Sequence, residues 1–176
     1  MRIGTKTLLY GNHQVILHSL FLLAAWLKLY KRINFKELIC IIIHDWGYWG
    51  KPNLDGEEGE RHPEWAAQWA YRHLDVPQGY WEDSFYYQNL CLYHSRFMAK
   101  RNGRQPSKLC LADKLSVSMM PTWLWVFLGS LTGEIEEYIS NSKYEIFSQS
   151  RKSYSEWFRD YKAICKKWVR DGLTVP

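Results

Sequence analysis

Six residues of this chain pair metal-ligand chemistry with positions where polar side chains are costly. His18, His44, Asp45, His62, His94 and Asp113 each interrupt or border an apolar segment. Imidazole and carboxylate together suit a divalent transition ion of intermediate softness: Fe, Mn, Co or Zn. Four such ligands hold one ion, whereas six, with a carboxylate able to bridge, are enough for two ions with positions left for water and substrate. Taken singly, each residue has a plainer reading. Asp113, within Leu109-Cys110-Leu111-Ala112-Asp113-Lys114-Leu115, is either solvated or paired with Lys108 or Lys114, since a bare carboxylate in a core is strongly disfavoured. His18 shares a helix face with Leu22, Ala25 and Leu29 and suits a hydrogen-bonded core histidine. His62 suits a helix N-cap, and His94 a partly buried helix position. His13 and His73 have no carboxylate or third histidine at a telling spacing and are read as structural, although His13 lies one turn before His18.

The elements that must position these groups are helices joined by short polar turns. His13 to Tyr30 is apolar nearly all round and predicts a central helix, with Gly11-Asn12 as its N-cap. Asn34 and Glu37 form a capping-box pattern ahead of Leu38-Ile39-Cys40-Ile41-Ile42-Ile43, a buried helix that ends by Gly47 with His44-Asp45 at its C-terminus. Gly50 to Arg61, with Pro52, Gly56, Gly59 and four acids, reads as an exposed loop. Pro63 suits the first position of the next helix, placing His62 at its N-cap, with Trp65, Trp69 and Leu74 continuing the apolar periodicity. Asp83 or Ser84 caps a helix running through Leu90 to His94. Lys100 to Arg104 reads as a turn, and Ser107 caps a helix that reaches Met120 and stops at Pro121. Tyr154, Trp157, Phe158, Tyr161, Ile164, Cys165 and Trp168 recur at three- and four-residue intervals, giving an amphipathic C-terminal helix that ends at Gly172.

The chain therefore reads as one all-α domain over 1–176, with a site-bearing core in about 13–120 and C-terminal helices in about 122–171. At 176 residues it buries enough surface to need neither disulfide nor structural zinc. Cys40, Cys91, Cys110 and Cys165 lie far apart, each in an apolar context, and read as reduced core thiols. The longest apolar stretches, Val15 to Leu27 and Leu38 to Ile43, are too short or too interrupted to span a bilayer. No small-residue cleavage site follows the first, so the expectation is a cytoplasmic protein without a membrane partner. The 23 Lys and Arg against 18 Asp and Glu give a net charge of +5, which permits an anionic substrate without compelling nucleic-acid binding.

Jointly, the six ligand-type residues resemble a family. A histidine on one helix, a His-Asp pair ending a second, two further histidines and an aspartate in an Ala-Asp-Lys-Leu setting are similar to the HD-domain superfamily of metal-dependent phosphohydrolases, in its binuclear H…HD…H…H…D branch. The likeness covers about 13–120. It implies an HD-type helical bundle and two divalent transition ions, one held by His18, His44, Asp45 and Asp113 and the other by Asp45, His62 and His94. It further implies hydrolysis of a phosphate ester or anhydride, most plausibly of a nucleotide, by a metal-activated hydroxide. Where many HD-GYP relatives carry a lysine four residues after the histidine of the pair, this chain has Tyr48, with Lys51 three positions on, and the GYP signature is absent. That argues against cyclic dinucleotides. A di-iron oxygenase branch of the same superfamily uses a similar ligand set and is the alternative activity, and a non-catalytic HD-like binding module is the third.

On this reading Asp45 and Lys51 act at the reacting phosphate, Asp45 by bridging the ions and Lys51, with Arg96 and Arg101, by holding phosphate oxygens. Arg96, Lys100, Arg101, Arg104 and Lys108 fall between His94 and Asp113 and would place a basic loop near the ions. Trp46, Tyr48 and Trp49 follow the His-Asp pair, where Trp46 and Tyr48 would stack on a base or sugar. The expected partner is a small phosphate-containing anion, and a homo-oligomer is allowed.

Overall fold

The computed structural model describes residues 1–75, 85–141 and 153–172, and every regular element among them is helical. The Asp83 or Ser84 cap lies outside the described residues. In chain order the helices are α1 (Ile3–Tyr10), α2 (Val15–Tyr30), α3 (Phe35–Ile43), α4 (Glu57–Glu60), α5 (Pro63–His73), α6 (Tyr86–Leu92), α7 (Arg96–Arg101), α8 (Lys108–Met119), α9 (Thr122–Thr132), α10 (Glu134–Asn141) and α11 (Tyr154–Asp171). A 3-10 turn at Trp46–Tyr48 follows α3. No single helix among the described residues is long and apolar enough to cross a membrane.

Two apolar clusters organise the helices. The larger joins α2, α3, α5, α6 and α8 through Leu22, Trp26, Ile41, Ala70, Leu90 and Leu109. The smaller joins α9, α10 and α11 through Trp125, Ile135, Trp157 and Phe158. On α5 the inward residues are Ala66, Ala67 and Ala70, whereas Trp65 is half-exposed. Of the expected apolar row, Leu74 is buried in the larger cluster and Trp69 packs partly buried against it, so only Trp65 falls off the buried face. Small side chains let α5 lie close against α6, and an indole at those positions would overfill the gap. All four cysteines are buried and unpaired, as core thiols.

Several boundaries differ from expectation for local reasons. α2 starts at Val15, and its cap is the Gln14 side chain, which accepts from the Leu17 N–H at 2.6 Å. Gly11 and Asn12 belong instead to a turn clasped by Glu134, whose carboxylate accepts the Asn12 N–H at 3.0 Å. A methyl at Gly11 would collide with that carboxylate. α6 ends at Leu92, so His94 lies in the turn after it. Residues 96–101 are helical, capped by Ser95, and the turn begins only at Asn102-Gly103, where Gly103 takes φ +62°. The 50–61 segment holds α4 and a buried Leu54, pinned because Glu137 Oε1 accepts the Leu54 and Asp55 N–H groups at 2.7 and 2.8 Å. The Asn34/Glu37 capping box, the Ser107 cap and the Gly172 stop stand as expected.

Candidate metal centre

The six ligand-type residues come from α2, α8, the end of α3, the start of α5 and the turn after α6, and all six are buried. His18 projects from the second turn of α2, and Asp113 from the middle of α8 packed against it. His44 and Asp45 lie where α3 gives way to the 3-10 turn. Leaving the helix there lets two adjacent residues face one point, which successive residues of a helix cannot do. His62 immediately precedes α5. Gly47 makes its approach possible, because a methyl on Gly47 would collide with the His62 carbonyl.

The two oxygens of Asp45 face different histidine pairs. Oδ2 lies 3.0 Å from His44 Nε2 and 3.4 Å from His18 Nε2. Oδ1 lies 3.3 Å from His62 Nε2 and 3.4 Å from His94 Nε2. Within each group of three residues the potential ligand atoms lie within 4.8 Å of one another. Asp113 falls outside both groups but reaches the first through His18, its Oδ1 3.3 Å from His18 Nε2, while Lys114 Nζ contacts its Oδ2 at 3.0 Å. The carboxylate thus meets the ion-pair reading, with Lys114 as the partner.

The tautomers are set from behind. His44 Nδ1 donates to the Ile41 carbonyl, His62 Nδ1 to the Gly59 carbonyl and His94 Nδ1 to the Cys91 carbonyl. A carbonyl oxygen only accepts, so in each neutral ring the hydrogen sits on Nδ1 and Nε2 presents a bare lone pair. Two of those lone pairs meet: His62 and His94 are 3.0 Å apart at Nε2, while His18 Nε2 lies 3.3 Å from His44 Nε2. Bare nitrogens repel at that distance unless a cation lies between them. Buried Asp45 Oδ2 likewise accepts no well-directed hydrogen bond despite its two imidazole neighbours. The donor set therefore fits metal ions, with nitrogen and oxygen donors suited to Fe, Mn, Co or Zn.

The electrostatics differ between the rings: burial lowers all three, but Asp45 and Asp113 override it at His44, which is raised, whereas His62 and His94 are lowered. Burial alone would raise the Asp45 carboxyl, but His44 foremost, with His62 and His94, holds it well below the ordinary carboxylate range. Burial likewise opposes ionisation of Asp113, and the Lys114 ammonium and His18 override it. His62 is pushed down to about 4, by burial first and then by His94, outweighing its bond to Asp45. His62 is thus a neutral, ligand-ready imidazole at physiological pH.

The other site expectations separate. Tyr48 lines the cavity, but its ring face is covered by His62, stacked at 3.8 Å and 17°. Arg96 lines the cavity from the start of α7. Lys51 and Trp46 instead line a second groove, which His62 borders as well, and there Trp46 stacks on Trp65 at 5.9 Å. Arg101 is exposed at the far end of α7 and lines neither cavity, and Lys100, Arg104 and Lys108 are exposed as well. The basic loop therefore contributes one cation, and from a helix. Two residues read from the sequence in other roles, Lys114 as an ion-pair partner of Asp113 and His13 as structural, also reach the cavity. His13 Nδ1 lies 2.9 Å from the Thr7 hydroxyl and 3.5 Å from the buried Glu134 carboxylate. Neither had a spacing signal, since Glu134 is far away in sequence and the Asp-Lys pair is adjacent.

No family model, no curated protein and no solved structure matches this chain. On geometry alone it is an all-α protein with a buried His/Asp cluster able to hold metal ions, an arrangement compatible with an HD-type domain.

Proposed function

We propose that this protein is an HD-type, metal-dependent phosphohydrolase that cleaves a phosphate ester or anhydride, with a nucleotide as the expected substrate. One observation carries the reading: Asp45 presents one carboxylate oxygen to each of two histidine pairs. That is the placement a bridging ligand requires, and protein carboxylates seldom sit among four imidazoles for packing alone. His18, His44, Asp45 and Asp113 would hold one ion, and Asp45, His62 and His94 the other.

Once bound, the ions would supply Lewis acidity, lowering the pKa of a coordinated water and offsetting charge on phosphoryl oxygens. The chain's own groups do the rest. Carbonyls of Ile41, Gly59 and Cys91 would fix the ring orientations of three ligands, His44, His62 and His94, and Tyr48 packs flat on one of them, the His62 ring. Arg96 and Lys114 are the cavity cations that would bind phosphate oxygens. Burial of the cluster keeps bulk water from screening these charges.

The experiment is phosphate release under strict anaerobiosis from a panel of nucleotides and simple phosphate esters, using protein reconstituted with Mn or Co. Release that persists without dioxygen supports hydrolysis, because that chemistry needs no electron transfer. Activity seen only with iron and dioxygen would replace the reading with the di-iron oxygenase, and ligand binding without turnover would replace it with a binding module.

A further inference from the structure

The cavity at the metal centre, about 550 Å³, has two ends of different chemistry. One end carries the ligand cluster. The other is built by elements that contribute no ligand: Trp125 of α9, Tyr138 of α10, and Trp157, Tyr161 and Trp168 of α11 line it. The volume falls in the range of roughly 300 to 1,000 Å³ that encloses whole organic ligands, so the cavity holds more than a phosphoryl group.

These rings are fixed in place. Trp125 stacks on Phe158 at 4.0 Å and 4° and on Trp157 at 5.8 Å, and Trp157 stacks on Tyr161 at 5.4 Å and 19°. At the less buried end of this row Trp168 stands perpendicular to Tyr161, 6.4 Å away at 86°. The Arg96 guanidinium lies 4.1 Å from the Trp168 ring centre. Arg96 is two residues from the ligand His94, so it ties the ring end to the metal end. A perpendicular pair forms a corner in which a flat ring lies face-on to one partner and edge-on to the other, both favoured aromatic geometries. An alkyl chain in the same corner gains only buried area. Because stacking already locks the wall, little freedom is lost when a ring docks.

We propose that the ring end binds an aromatic ring on the organic part of the substrate, with Trp168 and Tyr161 setting specificity and Arg96 positioning Trp168. The substrate class is then a phosphate whose organic part carries a flat ring, in preference to an alkyl phosphate. This rests on the phosphohydrolase reading only in taking the group at the metal end to be a phosphate-like anion.

The test is equilibrium binding. Benzylphosphonate and propylphosphonate, whose carbon–phosphorus bonds resist hydrolysis, are titrated into Mn-reconstituted protein and followed by calorimetry and tryptophan fluorescence. The aromatic probe is expected to bind roughly five- to a hundredfold tighter, the range of single ring-stacking contacts. Trp168→Leu should shrink the preference to less than about threefold while Trp168→Phe keeps it, because only the second retains a stacking face. Trp123→Ala, at an exposed indole on α9 outside the cavity, should leave it unchanged. Equal affinities, or a preference that survives Trp168→Leu in protein with native circular dichroism, would overturn the proposal. Should Trp168→Leu fail to fold, Arg96→Met decides: release of Trp168 must weaken the preference, and an undiminished preference overturns the role of the pair. Phosphate release without ring selectivity would overturn this inference and leave the hydrolase reading standing. Ring-selective binding without phosphate release from any ester would do the reverse.

Discussion

Nε2 of His62 lies 3.0 Å from Nε2 of His94, and both nitrogens are bare, because each ring gives its Nδ1 hydrogen to a carbonyl of its own turn. Such a pair is stable when it shares a cation. His94→Gln removes one member of this pair and leaves the His18/His44 side intact. A calorimetric Mn titration of this variant is expected to show one bound ion, against the two expected of the native chain. Two ions at native affinity would remove His94 from the ligand set.

Asp45→Ala is expected to abolish turnover while far-UV circular dichroism stays native, since its carboxylate serves both histidine pairs. Assays of purified variant and native protein at matched concentration check this. Retention of more than about a tenth of native turnover would place the reacting centre elsewhere.

Gly47→Ala tests the fit between the 3-10 turn and His62. The added methyl would meet the His62 carbonyl, which is backbone and cannot swing aside. Overpacking of this kind costs about 1 to 3 kcal/mol and should lower Tm by several degrees, with weaker ion binding because His62 must move. Native Tm and native ion affinity together would show that the turn is more pliable than its packing indicates.

These findings also show which parts of the site were legible in the sequence. The gathering of the polar groups was, because imidazoles and carboxylates in or beside apolar helices need a compensating partner, and five of the six singled out fall in two buried clusters able to hold metal. The capping box at Asn34 and the Gly172 stop were readable from local chemistry. The substrate side was not. Lys51 and Trp46 follow the His-Asp pair in sequence, yet the 3-10 turn carries them round into a second groove. Conversely, Trp168 and Tyr161 read only as the apolar face of α11, and packing of α11 against α8 brings them to the cavity. Chain proximity and spatial proximity part company wherever a tight turn reverses direction, and no local spacing records that.

The buried thiols give a prediction at alkaline pH. Burial pushes Cys110 up to about 12 and Cys165 up to about 11, above the ordinary thiol value of 9.0. The folded state thus favours the protonated thiols. Their stabilising contribution is present below pH 9 and declines as pH rises from about 9 toward 12, where the unfolded chain loses these protons first. Denaturant midpoints should therefore fall over that window. At pH 8 iodoacetamide should leave the native thiols unmodified and label all four once the protein unfolds. Rapid labelling of Cys110 or Cys165 in native protein would contradict their enclosure.

Metal stoichiometry tests the central claim most directly. Protein stripped with chelator, reconstituted with Mn and freed of excess ion should give close to two ions per chain by elemental analysis, and the Asp45→Ala variant fewer than one. Less than about half an ion per native chain would contradict a binuclear centre built on Asp45 and its four histidines.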